Sequence, residues 1–318
     1  MKVLVTGGAG FIGSHLVRAL LREGHEVRAM DNLSTGQLWR IEPLLSDIEF
    51  HEADICDPQA CGRAVTGVDA VLHQAALPSV SRSLEDPVAS SQANVTGTIT
   101  LLQACRLAGV RRLVYAGSSS AYGDTPTLPK IETMCPAPMS PYAVGKLASE
   151  QYCRVFGQLG FLETAVVRYF NIFGPMQDPN SQYAAVIPKF ACAMMAGRPI
   201  TVQGDGSQSR DFTHVANAVR ANLLAMTVPG VNAEVFNVGC GERYTLNDVI
   251  GELASIIGVT PQIEFLPSRP GDVPHSLASI DKARSVLGYE PVMRLRDGLI
   301  ETVNWFRSER LEPAAVSR

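Results

Sequence analysis

The sequence is poor in the features that would commit it to a membrane, a metal or a nucleic acid. No apolar run approaches the roughly 20 residues needed to span a bilayer. The opening MKVLVTGGAG runs straight into a strand and a glycine turn, without the charged, apolar and cleavage regions of a signal peptide. The expectation is a cytoplasmic protein with no membrane association. Six histidines show no metal-ligand spacing, so no metal is expected. The seven cysteines are odd in number, contain no C-x-x-C and mostly have apolar neighbours, and they read as reduced, structural thiols. Lys and Arg number 27 against 31 Asp and Glu, with no block of like charge, which points away from nucleic acid. Any anionic substrate must therefore be held by local groups.

What is present is a chain of 318 residues, 46% hydrophobic, enough for a substantial core in one or two lobes. The first half alternates β-rich runs with helical patterns, which argues for an α/β protein, a doubly wound parallel sheet covered by helices on both faces. Strands are expected at 2–6, 26–31, 48–52, 70–74, 112–116 and 164–169, with helices at 13–23, 88–108 and 141–159. After Asn171 three Gly/Pro-rich loops intervene, GPMQDPNSQYAAVIP, GRPITVQGDGSQSRDF and LPSRPGDVPHS, and loops this long in a compact enzyme usually carry function. A strand at 235–238 should return to the main sheet, so the smaller C-terminal substrate lobe is interleaved. Residues 1–170, with 211–240 returning, form the larger unit, and 171–210 with 241–318 form the lobe.

Behind the first strand, Gly7-Gly8-Ala9-Gly10-Phe11-Ile12-Gly13 opens a helix. Glycines tighten such a turn and let the backbone approach a pyrophosphate, which sits on the positive helix end. Alone the match is weak. Asp31 strengthens it, because it ends the second strand where a carboxylate can take both adenosine ribose hydroxyls and repel a 2′-phosphate. This is the Rossmann arrangement, with NAD favoured over NADP. Asp54-Ile55 and Gln74-Ala75-Ala76 end the third and fourth strands at the same crevice.

Tyr142 and Lys146 stand at i and i+4 on one helical face. A cation beside a phenol favours phenolate and should bring a group of ordinary pKa about 10 toward neutrality, fit to act as a general base. By itself the pair is common at surfaces. Ser118, Ser119 and Ser120 follow the fifth strand, at the carboxyl edge where α/β ligands bind.

With these residues in place, the sequence resembles the extended short-chain dehydrogenase/reductases, and among them the nucleotide-sugar 4-epimerases, along essentially the whole chain. TGGAGFIGSHL, DNLSTG, HQAA, SSSAYG, SPYAVGK, RYFNIFGP, SRDFTHV and RPGDVPHS occur in the family's order. The resemblance implies that Tyr142 takes the proton of the sugar 4-hydroxyl while carbon 4 passes hydride to a tightly held NAD. Lys146 would hold the nicotinamide ribose and lower the tyrosine pKa, and Ser118 would bond the 4-oxygen with Ser119 behind it. It adds Asn32, Ser34, Gly36, Asn94 and Tyr169 to the cofactor residues, and Ser79 to those near the sugar. Asn171, Arg210, Arg269 and Asp272 would grip the diphosphate and uridine ribose of a UDP-sugar, with Thr201, Val202 and Gln203 by the base. Ser276 stands where members confined to UDP-glucose and UDP-galactose tend to carry tyrosine, which implies room for an N-acetyl group. Members commonly pair through two helices per subunit, so a homodimer through 88–108 and 141–159 is expected.

The same scaffold resembles sugar dehydratases, which place an Asp-Glu pair after the catalytic hydroxyl, and decarboxylases, which place Glu at position 120. Here Ser119 and Ser120 stand instead, leaving epimerisation as the economical reading, with UDP-glucuronate as an alternative substrate. An NAD-binding sensor or scaffold without catalysis is the alternative of another class, and retention of Ser118, Tyr142 and Lys146 together argues against it.

Overall fold

The computed structural model describes residues 1–179, 185–267 and 274–311. Seven parallel strands form the main sheet: β1 (Lys2–Thr6), β2 (Glu26–Asp31), β3 (Ile48–Glu52), β4 (Ala70–His73), β5 (Arg112–Ser118), β6 (Glu163–Tyr169) and, far along the chain, Glu234–Val238. Their order is Glu234–Val238, β6, β5, β4, β1, β2, β3. The order reverses between β1 and β4, where Thr6 lies opposite His73. In such sheets the crevice beyond the carboxyl ends at this reversal is the ligand site.

Alternation along each strand explains the two layers. Val3, Val5, Val27, Ala29, Leu72 and Val114 face one side. There they meet Leu16, Val17 and Leu20 of helix α1 (Phe11–Arg22) and small residues of the helix Val215–Thr227. Leu4, Met30, Val71, Leu113, Tyr115 and Val166 face the other. They meet α2 (Pro58–Val65) and the helical run Pro87–Ala108, together with Cys153 of the helix Pro141–Gln158. The helix expected over 88–108 is not regular: Gln92–Thr96 is a π turn between two α segments. It carries Asn94, as wide turns in helices often carry functional residues.

A third core joins Ile187, Phe190 and Met194, Ile200 and Val202, Val249 and Leu253, and Leu299 and Val303, all beyond Asn171. The strand Glu234–Val238 pairs in parallel with β6, the return expected for that segment. One boundary differs from expectation. Ala278, Ile280, Ala283, Leu287 and Tyr289 fall within 241–318, yet they pack into the core of the main sheet. The Tyr289 hydroxyl donates to the Gly239 carbonyl at 2.8 Å, which ties this segment beside the returning strand.

Candidate active site

The glycine turn is required by space as well as by conformation. Gly7 has φ +67°, and a Cβ there would lie 2.7 Å from the Ala75 nitrogen; a Cβ on Gly13 would lie 2.0 Å from the Gly7 carbonyl oxygen. The backbone of Gly10 caps α1 and no side chain does, so the N–H groups of the first turn, with Phe11 and Ile12, remain able to meet an anion.

Asp31 ends β2 beside this turn. Its carboxylate accepts from the Ala9 N–H at 3.0 Å and the Leu33 N–H at 2.9 Å. Burial raises its pKa, while those N–H groups and the Arg40 guanidinium oppose the rise. Gly36 is glycine because a Cβ would press to 2.5 Å from the Asp31 carboxylate. Asn32 donates to Asp54 at 2.8 Å and accepts from Ser34 Oγ at 2.7 Å, so these three form one rim of the crevice, with Ile55 buried behind them. The acid, the open helix end and the rim suit the adenosine and pyrophosphate of NAD.

On the other rim the side chains are tied to one another. Tyr169 donates to Gln74 at 3.0 Å, while Asn222 donates to the Tyr169 hydroxyl at 2.6 Å and accepts from Gln74 at 3.1 Å. Asn94 clamps the backbone of Leu77, accepting from its N–H at 2.8 Å and donating to its carbonyl at 3.1 Å. That leads to Ser79, at φ +110°, whose hydroxyl caps the helix Val80–Glu85 by accepting from Arg82. Beneath Ala75 and Ala76 a buried chain that sequence reasoning missed runs across the floor. The Ala75 N–H lies 3.3 Å from Thr6 Oγ1, which is 2.7 Å from His73 Nδ1; His73 Nε2 is 3.0 Å from Thr98 Oγ1, which donates to the Asn94 carbonyl. Because Thr98 spends its proton on Asn94, its oxygen must accept, so His73 carries its proton on Nε2. Thr6 and His73 lie within matched segments, but as strand ends they gave no sign of a polar pairing. Asn222 had no signal at all.

Tyr142 opens the helix Pro141–Gln158, which Ser140 caps by accepting from the Ala143 N–H at 3.2 Å. One turn on, Lys146 is buried, and its ammonium donates to the Ala116 carbonyl at 2.9 Å. Burial pushes the Lys146 pKa down to about 8. The expected lowering of the tyrosine pKa by Lys146 is not what the protein alone does. Burial raises the Tyr142 phenol, and the group that opposes this is the Ser118 hydroxyl. The lysine shares the helical face, and its ammonium is bonded to the Ala116 carbonyl of β5. In register, Ser118 lies opposite Tyr169, two residues before Asn171.

Beyond Asn171 a cavity of about 540 Å³ is lined by Asn171, Thr201, Gln203 and Arg210, four of the residues expected to hold a UDP group. Lys189 and Gln208, which were not anticipated, join them. Val202 does not: strand alternation turns its side chain into the apolar core. Arg210 also donates to the Pro274 carbonyl at 3.0 Å, and Asn171 donates to Ser276 Oγ at 3.2 Å, so the segment bearing Ser276 closes on this cavity. Arg269 and Asp272 lie outside the described residues. Tyr142 and Ser118 are not among the residues that line the cavity; Ser118 ends β5, opposite Tyr169. Among the described residues no cluster of His, Cys, Asp or Glu could hold a metal, and no helix is long and apolar enough to cross a membrane.

A phosphate turn with an acid at the end of the next strand, and a Ser, Tyr and Lys set at the carboxyl edge of the same sheet, define an NAD-dependent enzyme of the extended short-chain dehydrogenase/reductase type. The chain belongs to the NAD dependent epimerase/dehydratase family, whose model matches residues 3–239, and NAD is its cofactor. It is 39% identical over 313 residues, 97% of this chain and 99% of the other, to the UDP-glucose 4-epimerase of Mycolicibacterium smegmatis. The UDP-glucose 4-epimerase of Thermotoga maritima, solved with UDP-glucose, superposes with a TM-score of 0.93 at 37% identity, covering 98% of this chain and all of that one. The UDP-N-acetylglucosamine 4-epimerase of Methanobrevibacter ruminantium, solved with UDP-N-acetylmuramic acid, superposes with 0.91 at 36% identity, covering 97% and 98%. Relatives of this kind are isomerases.

Proposed function

We propose that the protein inverts carbon 4 of a UDP-hexose through a 4-keto sugar, acting on the UDP-N-acetylglucosamine/UDP-N-acetylgalactosamine pair as well as UDP-glucose/UDP-galactose. The observation that carries this reading is Ser118 at the carboxyl end of β5, beside the helix that bears Tyr142 and Lys146 and whose lysine bonds the Ala116 carbonyl of that strand, with serines rather than carboxylates at 119 and 120. When bound, NAD accepts and returns the hydride of carbon 4. Tyr142 takes the proton of the 4-hydroxyl and later gives it back, and Ser118 donates a hydrogen bond to the 4-oxygen. Lys146, cationic below about pH 8, keeps a positive charge next to the reacting edge. No carboxylate follows Ser118 to expel a 6-hydroxyl, so the keto sugar is re-reduced rather than dehydrated.

Asn171, Thr201, Gln203 and Arg210 hold the UDP end, Arg210 supplying a fork suited to phosphate oxygens. Ser276, in place of a large ring beside Asn171, leaves room for an N-acetyl group. Two copies pair through the helical run Pro87–Ala108 and the helix Pro141–Gln158, where Val88, Leu107, Val144, Tyr152 and Val155 are exposed. The compartment is cytoplasmic, in keeping with the buried thiols of Cys61, Cys105 and Cys153, which form no disulfide.

The test incubates purified protein with UDP-glucose, UDP-N-acetylglucosamine and UDP-glucuronate and reads product stereochemistry by NMR. Inversion at carbon 4 of the first two is expected. No inversion of any of the three refutes the reaction, and turnover of UDP-glucuronate alone refutes the substrate assignment.

A further inference from the structure

Ser120 has a place in the site that its neighbours do not explain. Its hydroxyl donates to Ser118 Oγ at 2.8 Å, and its backbone N–H donates to the same oxygen at 3.2 Å. A serine hydroxyl has one proton and two acceptor positions. Both acceptor positions of Ser118 are thus taken from the side of the short turn Ser119–Tyr122, and what Ser118 has left to offer is its proton. The turn is anchored from two directions: the Ala137 N–H donates to the Ala121 carbonyl at 2.9 Å, and the buried Tyr122 hydroxyl donates to Asn237 at 2.7 Å.

We propose that Ser120 is a positioning residue that holds the Ser118 hydroxyl as a hydrogen-bond donor toward the Tyr142 oxygen and the substrate oxygen beside it. The proposal rests on the reading of Tyr142 as the base. A donor favours the phenolate, the form able to accept a proton, whereas an acceptor at the same place would favour the phenol and disarm it. Without the Ser120 hydroxyl, Ser118 regains an open acceptor position and can turn to receive the phenol proton. Among the described residues, the titratable groups near Tyr142 are Lys146 on its own helix, held on the Ala116 carbonyl, and Tyr115 on β5, a neutral buried phenol. Neither is moved by a change at Ser120.

The test uses the NAD-loaded protein as wild type, Ser120→Ala, Ser120→Thr and Tyr142→Phe. Ser120→Ala should lower kcat roughly tenfold, ~1.4 kcal/mol, with KM for the UDP-sugar little changed. The acid limb of its kcat profile should move up by about one pH unit. Ultraviolet titration of the phenolate, with Tyr142→Phe as the blank, should show the same upward move, and Ser120→Thr should restore both. A Ser120→Ala protein with wild-type kcat and phenolate titration, beside an inactive Tyr142→Phe, overturns this proposal alone. A loss in Ser120→Ala that leaves the acid limb in place, and that threonine does not rescue, also overturns it. If Tyr142→Phe turns over like wild type, the base reading falls and the proposal falls with it.

Discussion

Acid should loosen this fold through its buried imidazoles, and His73 is where the size of the effect can be worked out. Its side chain is fully buried, and burial lowers its pKa from 6.5 to about 3, with the nearby Lys146 charge acting the same way. A depressed folded-state pKa contributes stability that is present above the unfolded value and is lost as pH falls toward the folded one. The window therefore runs from about 6.5 down to about 3. At about pH 5, roughly 1.5 units below the unfolded value, protonation favours the unfolded chain by about 2 kcal/mol, at ~1.36 kcal/mol per unit. The hydrogen bonds act in the same direction as burial: Nδ1 accepts from Thr6, and a second proton on the ring would force the Thr6 hydroxyl to turn its own proton away from the ring. His15 and His214, both lowered to about 4 by burial, act in the same sense. Asp211, raised to about 6 by burial, acts in the opposite one. His73→Gln isolates the first contribution. Urea unfolding of wild type and variant between about pH 7 and about pH 5 should show the wild type losing about 2 kcal/mol more than the variant. A pH-independent difference between the two would refute the reasoning.

Other perturbations probe the core and the site. Glu150 and Arg168 form a buried pair at 2.6 Å, so Glu150→Gln strands a buried cation and should cost about 3–5 kcal/mol in chemical denaturation. A loss too small to measure would show that the pair is dispensable. Tyr142→Phe should remove about 10²–10⁴-fold of kcat while bound NAD, read by its absorbance, is retained; near-normal turnover would exclude the phenol as base. Asp31→Ala should weaken NAD retention and narrow the preference against NADP, measured as a ratio of dissociation constants, and an unchanged ratio would remove Asp31 from the ribose site. Ser276→Tyr should depress kcat/KM for the N-acetylated substrates more than for UDP-glucose, by about 1–3 kcal/mol of overpacking, and equal losses on both would show that it is no gate.

The main-sheet strands were legible to within two residues at either end because most are apolar runs that end at glycine or polar turns, whereas short strands beyond Asn171, such as Ile200–Gln203, lie in segments read as loops. The π turn at Gln92–Thr96 was not, since an extra backbone residue in a helix leaves the spacing of Val95, Ile99 and Leu102 almost intact. The side chain of Val202 lies in the core although Thr201 and Gln203 flank it in one segment, because only the pleat decides which of the three side chains faces the cavity. The segment 278–289 was assigned to the lobe by its position in the chain, yet its apolar side chains found the main-sheet core.

Local devices are written in the residue order: the glycine turn, Asp31 at a strand end, Tyr142 and Lys146 one turn apart, and the run of three serines. Each depends on residues close along the chain, so spacing alone records it. Where the protons and charges go depends on the packing of distant segments. Lys146 donates to the Ala116 carbonyl of β5, Asn222 closes on Gln74 across 148 residues, and His73 is held between Thr6 and Thr98. Hydrogen bonds of this kind need a donor and an acceptor brought within about 3 Å in the right direction. Packing of distant segments sets that distance, and residue spacing carries no trace of it.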